Sequence, residues 1–338
     1  MIKGEIIKTK NKYNKLIEKI SELVNKSKTE LAKTINTKIV YTYWAIGKHI
    51  VEYEQKGRER ADYGSELMKT LSSELLIKLG KGFSRSNLQN MRLFYLNYPK
   101  SQTMSGKLSW SHYCILLGIS DKQARLFYEK ECINSYWSVR ELERQISSSL
   151  FERLSLSKDK KGVLELSRKG HIVEIPKNMV KDPYVLEFLG IPESERLTEK
   201  KFESKIIEHL KTFMLELGKG FFFVGRQYRI TMNNEHHYID LVFYNVYLKC
   251  YVLIDLKTRK FRHEDAGQMN FYLNYFKNEV NVEGDNSPIG IILCAEKNKV
   301  YIDYVLGGLS NTIFASKYKL KLPTQKELAD ELKKDIQK

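Results

Sequence analysis

The sequence is poor in the residues that break or staple a chain. Its 338 residues include only 6 prolines, 19 glycines and 4 cysteines. So little proline and glycine excludes a collagen-like or linker-dominated chain. The cysteines, Cys114, Cys132, Cys250 and Cys294, form no C-x-x-C pair. That argues against a disulfide framework or a zinc site and predicts buried, reduced thiols. No run of about 18 apolar residues occurs, so no membrane-spanning helix and no membrane partner are expected. Met1-Ile2-Lys3-Gly4-Glu5 leads into a Lys-rich segment without the apolar centre of a secretory signal, which predicts a cytoplasmic protein. No G-x-x-x-x-G-K-[ST] loop is present, so no ATPase activity is expected. No internal repeat is visible.

What is present suffices for folded domains. The chain is 42% hydrophobic and 12% aromatic, and its length fits two domains. Its net charge of +16 is unevenly spread. Residues 1–150 hold 26 Lys+Arg against 15 Asp+Glu, a net of +11, and the remainder nets +5. A basic half beside a nearly balanced half suggests a polyanion-binding module joined to something else.

Residues 5–55 show helical spacing in two runs, Ile6 to Val24 and Leu31 to Val51. Ser65 can cap a helix that ends at Gly80, and Ser84 a second one stopped by Pro99. This pair is a candidate helix-turn-helix. Its second helix would present Arg85, Asn87, Gln89, Asn90 and Arg92, side chains suited to base edges and phosphates; an ordinary surface helix is the alternative. Helices over 108–118, 121–132 and Val139–Leu150 complete a helical domain, with Trp44, Trp110 and Trp137 as core anchors. The Ser- and Lys-rich stretch 151–182 reads as a boundary, and Pro176, Pro183 and Pro192 predict an irregular connector to 197.

From 198 the pattern becomes α-β-β-β-α-β. A helix spans Thr198–Leu217, followed by strands Phe221–Ile230, Tyr238–Tyr244 and Tyr251–Lys257 as an antiparallel meander. A helix over Glu264–Asn278 leads to a wholly apolar strand, Ile289–Cys294, of the kind covered on both faces. A short helix near 299–306, a strand over Thr312–Ser316 and a charged C-terminal helix follow. The expected domains are therefore 1–150 helical, 151–197 connector and 198–338 α/β.

Asp240 and Asp255 each interrupt an apolar strand, and Lys257 shares a face with Asp255. Unpaired buried charge costs several kcal/mol. A short turn near 245–248 would bring Asp240 beside Asp255, where two carboxylates repel unless a hard divalent cation lies between them. Mg²⁺ or Mn²⁺ suits such an oxygen-lined site, with the Leu256 carbonyl as a further donor. Glu203, on the apolar side of the preceding helix, is placed to reach it. A buried Asp–Lys pair that only holds the sheet together is the competing explanation.

These residues resemble the PD-(D/E)XK nuclease superfamily: Asp240 as first acid, Asp255-Leu256-Lys257 as (D/E)-x-K, Glu203 as the first-helix acid. Gln268-Met269-Asn270-Phe271-Tyr272 is similar to the Q-x-x-x-Y motif of RecB-like members. Phe213–Phe221, Val224–Tyr228, Tyr43–Gly47 and Trp137–Leu142 resemble the YhcG-like family, and Asp255 stands where that family's E-L-K has Glu. The resemblance implies a helix-turn-helix-like domain joined to a restriction-endonuclease-like core with a mixed sheet. It also implies Mg²⁺-dependent phosphodiester hydrolysis, in DNA first and in RNA as the alternative, with Lys257 holding the attacking water. Gln268 and Tyr272 would support the site, and Arg85, Asn87, Gln89, Arg92, Arg226 and Lys260 would contact nucleic acid. A homodimer, partners from a restriction or mobile-element system and a role in bacterial defence all fit. So does a catalytically silent recruitment protein.

Overall fold

A computed structural model describes residues 2–56, 61–100, 106–155, 160–192, 195 and 197–323. The chain divides into two compact units, Met1–Leu142 and Glu143–Lys338. Among the described residues no helix is long and apolar enough to cross a membrane.

The first unit is helical: α1 (Ile2–Lys56), α2 (Ala61–Leu79), α3 (Arg85–Asn97), α4 (Trp110–Leu117), α5 (Lys122–Ser135) and the start of α6 (Val139–Ser147). The two runs expected over 5–55 form one continuous helix, because nothing between Val24 and Leu31 breaks it: Asn25-Lys26-Ser27-Lys28 contains neither Gly nor Pro. α1 leaves Leu16, Ile20, Leu23 and Leu31 exposed, whereas Ile50 and Val51 near its end are buried. There α1 crosses α3 closely. A Cβ on Gly47 would lie 2.0 Å from the Met91 carbonyl oxygen, so only glycine permits this approach. Leu88, Met91 and Phe94 fill the α3 side, and Phe94 stacks against Tyr98, Trp110 and Tyr113. Trp137 is buried, while Trp44 and Trp110 are half-buried and donate their ring N–H to Tyr98 O and Asn87 Oδ1.

The second unit adds α7 (Leu150–Ser155), α8 (Lys160–Lys169), α9 (Pro176–Met179), β1 (Tyr184–Val185), α10 (Glu199–Glu208), α11 (Leu210–Leu217), β2 (Phe221–Met232), β3 (Glu235–Asn245), β4 (Cys250–Lys260), α12 (His263–Tyr275), β5 (Ile289–Glu296), α13 (Lys299–Leu306) and β6 (Thr312–Lys319). The sheet order is β1-β6-β5-β4-β3-β2. β2, β3 and β4 form the antiparallel meander, and β4, β5, β6 and β1 run parallel, so the sheet is mixed. The helix expected over 198–217 breaks at His209 into α10 and α11. The C-terminal helix expected after 316 falls largely outside the described residues.

β5 is apolar from Ile289 to Ala295, and both faces of this run are covered. Ile289, Ile291 and Leu293 pack with Phe202 and Ile206 of α10 and Phe213 of α11. Ile292 and Cys294 pack with Met269, Tyr272 and Leu273 of α12. Each such buried side chain contributes roughly 1.5–3 kcal/mol. A Cβ on Gly290 would meet Met269 Cγ at 2.5 Å, so this glycine lets α12 lie directly on the strand. All four cysteines are free thiols, and all but the half-buried Cys114 are buried.

The stretch 151–197 differs from the connector expected there, because it is built into the second unit. Glu216 of α11, with no exposed surface, accepts from Arg153 Nη1 at 2.6 Å and from the Val185 N–H at 2.9 Å. Arg144 reaches its other oxygen at 3.4 Å, and Lys181 donates to its main-chain carbonyl. β1 pairs in parallel with the end of β6, Tyr184 opposite Tyr318. Just before it, Asp182 accepts the Lys317 N–H and pairs with Lys297, which also reaches the Ala315 carbonyl. These partners lie 18 to 135 residues apart in sequence, so no local pattern announces them.

Candidate active site

Two hairpin turns set the site. Asn233 and Asn234, both left-handed at φ 52° and 63°, join β2 to β3 and set Met232 opposite Glu235. The turn after Asn245 sets Asn245 opposite Cys250. Counting along both ladders, Gln227, Asp240 and Asp255 fall on one row across three strands. The ladders give way at that row. β3 and β4 pair no further than Leu241 and Ile254, and Asp240 Oδ2 accepts the Leu256 N–H at 2.8 Å. A carboxylate has replaced a ladder carbonyl, and the break in pairing marks the candidate site.

Asp255 is 3% exposed, and Lys257 Nζ stands 2.7 Å from its Oδ2. That oxygen accepts no well-aligned hydrogen bond. Burial pushes the Asp255 carboxyl up to about 6 against the pull of Lys257, with the Asp240 charge adding to the rise. Burial likewise raises Asp240, against the Leu256 N–H, Lys257 and Gln227. Burial pulls the Lys257 ammonium down, but the Asp255 charge overrides it and leaves the group above its usual value. Lys257 is therefore a cation at neutral pH.

Thr198 caps α10 by accepting the Lys201 N–H, and the helix buries Glu203 among Phe202 and Ile206. Gln227 Nε2 donates to Glu203 Oε2 at 2.7 Å and to Asp240 Oδ1 at 3.0 Å. The structure thus joins Glu203, Gln227 and Asp240, and separately Asp255 and Lys257, around the opening at Leu256. Gln268 Nε2 donates to the Tyr272 hydroxyl at 2.7 Å, which donates to the Tyr238 carbonyl at 3.1 Å. That chain ties α12 to β3 two residues before Asp240.

Among the described residues no three His, Cys, Asp or Glu side chains already stand as a ready-made metal cluster. The donors nonetheless suit a hard cation in kind: carboxylates, one of them buried with an oxygen lacking an aligned donor. Asp240, Asp255 and Glu203 fit a hard divalent cation on that ground.

The other expected residues are dispersed. Arg85 and Gln89 are exposed on α3. Asn87 is held within the first unit, donating to the Gly82 carbonyl at 2.5 Å and accepting from Trp110 at 2.8 Å. Arg92 Nε lies 2.7 Å from a Glu54 oxygen. These two therefore brace the helical core. Arg226 and Lys260 are exposed on β2 and at the end of β4. Counting from the Asn233-Asn234 turn would have placed Gln227 opposite Asp240. Arg259 and Asp265, which pair at 2.7 Å and fix the start of α12, carry no comparable sequence signal.

Comparison with known proteins gives two family models in tandem. A DUF1016 N-terminal domain matches residues 19–153, and a YhcG PDDEXK nuclease domain matches residues 177–336. "Putative nuclease YhcG" of Escherichia coli (strain K12) is 42% identical over 352 residues, covering 95% of this chain and 93% of that one. Two solved structures overlap more loosely. A repair endonuclease from Pyrococcus abyssi is 18% identical at a TM-score of 0.26, covering 39% of this chain and 50% of that chain. EndoMS in its apo form is 16% identical at 0.25, covering 39% and 49%. Overlays that loose add nothing to the fold read from the strand order. The tandem match and the near-full-length relative show that the chain belongs to the YhcG family, whose C-terminal part is a PDDEXK nuclease domain.

Proposed function

We propose that the second unit hydrolyses phosphodiester bonds with a divalent cation, in DNA before RNA, and that the basic first unit helps to hold the substrate. One observation carries this reading: Asp240, Asp255 and Lys257 converge where β3 and β4 part, with Glu203 joined to Asp240 through Gln227. Two raised carboxyls beside a buried ammonium form a poor stability device, because charge is buried at a cost with little apolar gain. They form a good catalytic one.

Asp240, Asp255, Glu203 and the Leu256 carbonyl would hold Mg²⁺ or Mn²⁺. A cation bound there lowers the pKa of a coordinated water and polarises the phosphoryl oxygen. Lys257 orients the attacking water and offsets negative charge on the phosphorane-like transition state. Gln268 and Tyr272 keep β3, and with it Asp240, in place. The net +11 of residues 1–150 and the exposed Arg85, Gln89, Arg226 and Lys260 supply phosphate contacts.

The test is cleavage of matched duplex DNA, branched DNA, single strands and RNA, each with Mg²⁺, Mn²⁺ or EDTA. Cleavage of a DNA substrate that stops in EDTA is expected. Cleavage of RNA alone would move the substrate assignment. Cleavage that persists in EDTA would overturn the mechanism.

Cation affinity should also depend on pH. Asp255 must be ionised to bind, and its carboxyl titrates near about 6. Calorimetry should show Mn²⁺ affinity falling about tenfold per unit below that pH, level above it, with proton release near it. In the metal-free protein the same shift has the opposite sign. The folded-state value lies above the ordinary 3.8, so ionisation removes stability as pH rises from about 4 to 6.

A further inference from the structure

Gln227 is out of keeping with the strand it belongs to. It lies inside β2 yet has φ 45°, a left-handed conformation that a non-glycine residue adopts only under strain. The β2 register also shifts just before it, between Phe223 and Gly225, so the strand is already bent on approach. The distortion is aimed. It turns the side-chain amide so that one nitrogen reaches two carboxylates on different elements, Glu203 on α10 and Asp240 on β3. Only the NH₂ end of an amide can face two carboxylates, so the amide orientation follows from its partners. Without that donor the two acids would face each other as bare like charges.

We propose that Gln227 is a positioning residue for the candidate metal centre, whose left-handed backbone aims its amide to hold Glu203 and Asp240 as one pair for an incoming divalent cation. The proposal rests on the nuclease reading above. It goes beyond that reading by giving a role to a residue outside the acids and the lysine. Gln227 acts through the two carboxylates and sets how far each must move when a cation binds. A cation that meets both acids already gathered pays less reorganisation than one that must recruit Glu203 from α10.

The strain makes the role separable from simple structural support. Glycine adopts φ 45° without penalty, so Gln227→Gly keeps the backbone path while deleting the amide with its short exposed stem. Mn²⁺ binding to the full chain by calorimetry, alongside thermal unfolding in EDTA, decides between the two. The expected result is a 10- to 100-fold loss of Mn²⁺ affinity in Gln227→Gly with an unchanged or higher melting temperature. Equal affinity in the two proteins overturns the positioning role and leaves the nuclease reading standing. A melting temperature well below wild type also overturns it, because the amide would then be a structural brace. Wild type that takes up no Mn²⁺ sinks the nuclease reading, and this proposal with it.

Discussion

Lys257→Met is expected to lower phosphodiester cleavage by about 10³-fold, or about 4 kcal/mol of transition-state stabilisation. Met nearly matches the length of the lysine stem and keeps its apolar contacts, so the change removes charge rather than bulk. The buried ammonium stands 2.7 Å from Asp255 and stays protonated because that carboxylate opposes the effect of burial. The reacting phosphodiester gains negative charge, and in a site with little water a fixed cation is worth more than in solvent. A second effect must be separated from the first. Without Lys257 the Asp255 carboxyl loses its lowering partner and rises further above about 6. Cleavage should therefore be compared at pH 8 to 9, where Asp255 is ionised in both proteins. A variant that retains more than a tenth of wild-type turnover there would remove Lys257 from the mechanism.

Glu216→Gln is expected to cost the second unit about 3–5 kcal/mol, a large share of an ordinary domain's stability. Burial alone would push the Glu216 carboxyl up. Arg153, Lys181 and Arg144 overcome this and hold it down at about 2. Against an ordinary value of 4.5, the depression corresponds to about 3 kcal/mol. The sign follows directly: a depressed carboxyl stabilises the fold above pH 4.5, and this contribution is lost as pH falls toward 2. Glutamine keeps the shape but leaves Arg153 buried without its counter-charge. The choice of probe matters. All three tryptophans lie within residues 1–142, so tryptophan fluorescence reports the wrong unit. Hydrogen exchange at β4 and β5 reports the right one, and protection equal to wild type there would refute the prediction.

What could be read from the sequence follows the range of the forces involved. β2 to β5 and α12 stood out because period-2 and continuous apolar runs are local signals. Asp240, Asp255 and Lys257 stood out because charge inside such a run is expensive. Glu203 was recognisable from its place on the apolar side of α10. The place of Gln227 between two acids was not legible, because it comes from register, which is fixed by the turn six residues away. The Glu216 cluster was invisible because it draws Arg144, Arg153, Lys181 and Val185 from segments that share no periodicity. Asn87 and Arg92 were expected to face nucleic acid, but both are tied into the helical unit. Their partners, Trp110 and Glu54, lie on helices that no pattern within α3 could reveal.

The short contact between β1 and β6 has a consequence for solubility. β1 covers only Tyr318 and Lys319, so among the described residues the outer edge of β6 from Thr312 to Lys317 has no strand beside it. A bare edge of this kind invites another chain to add a strand, the usual route to edge-to-edge aggregation. Asp182 takes up the Lys317 N–H, and Lys297 takes up the Ala315 carbonyl. A single ion pair thus occupies two of the edge's backbone groups with side chains that cannot extend a β-ladder, so a strand from another copy would find the Ala315–Lys317 end of that edge already taken.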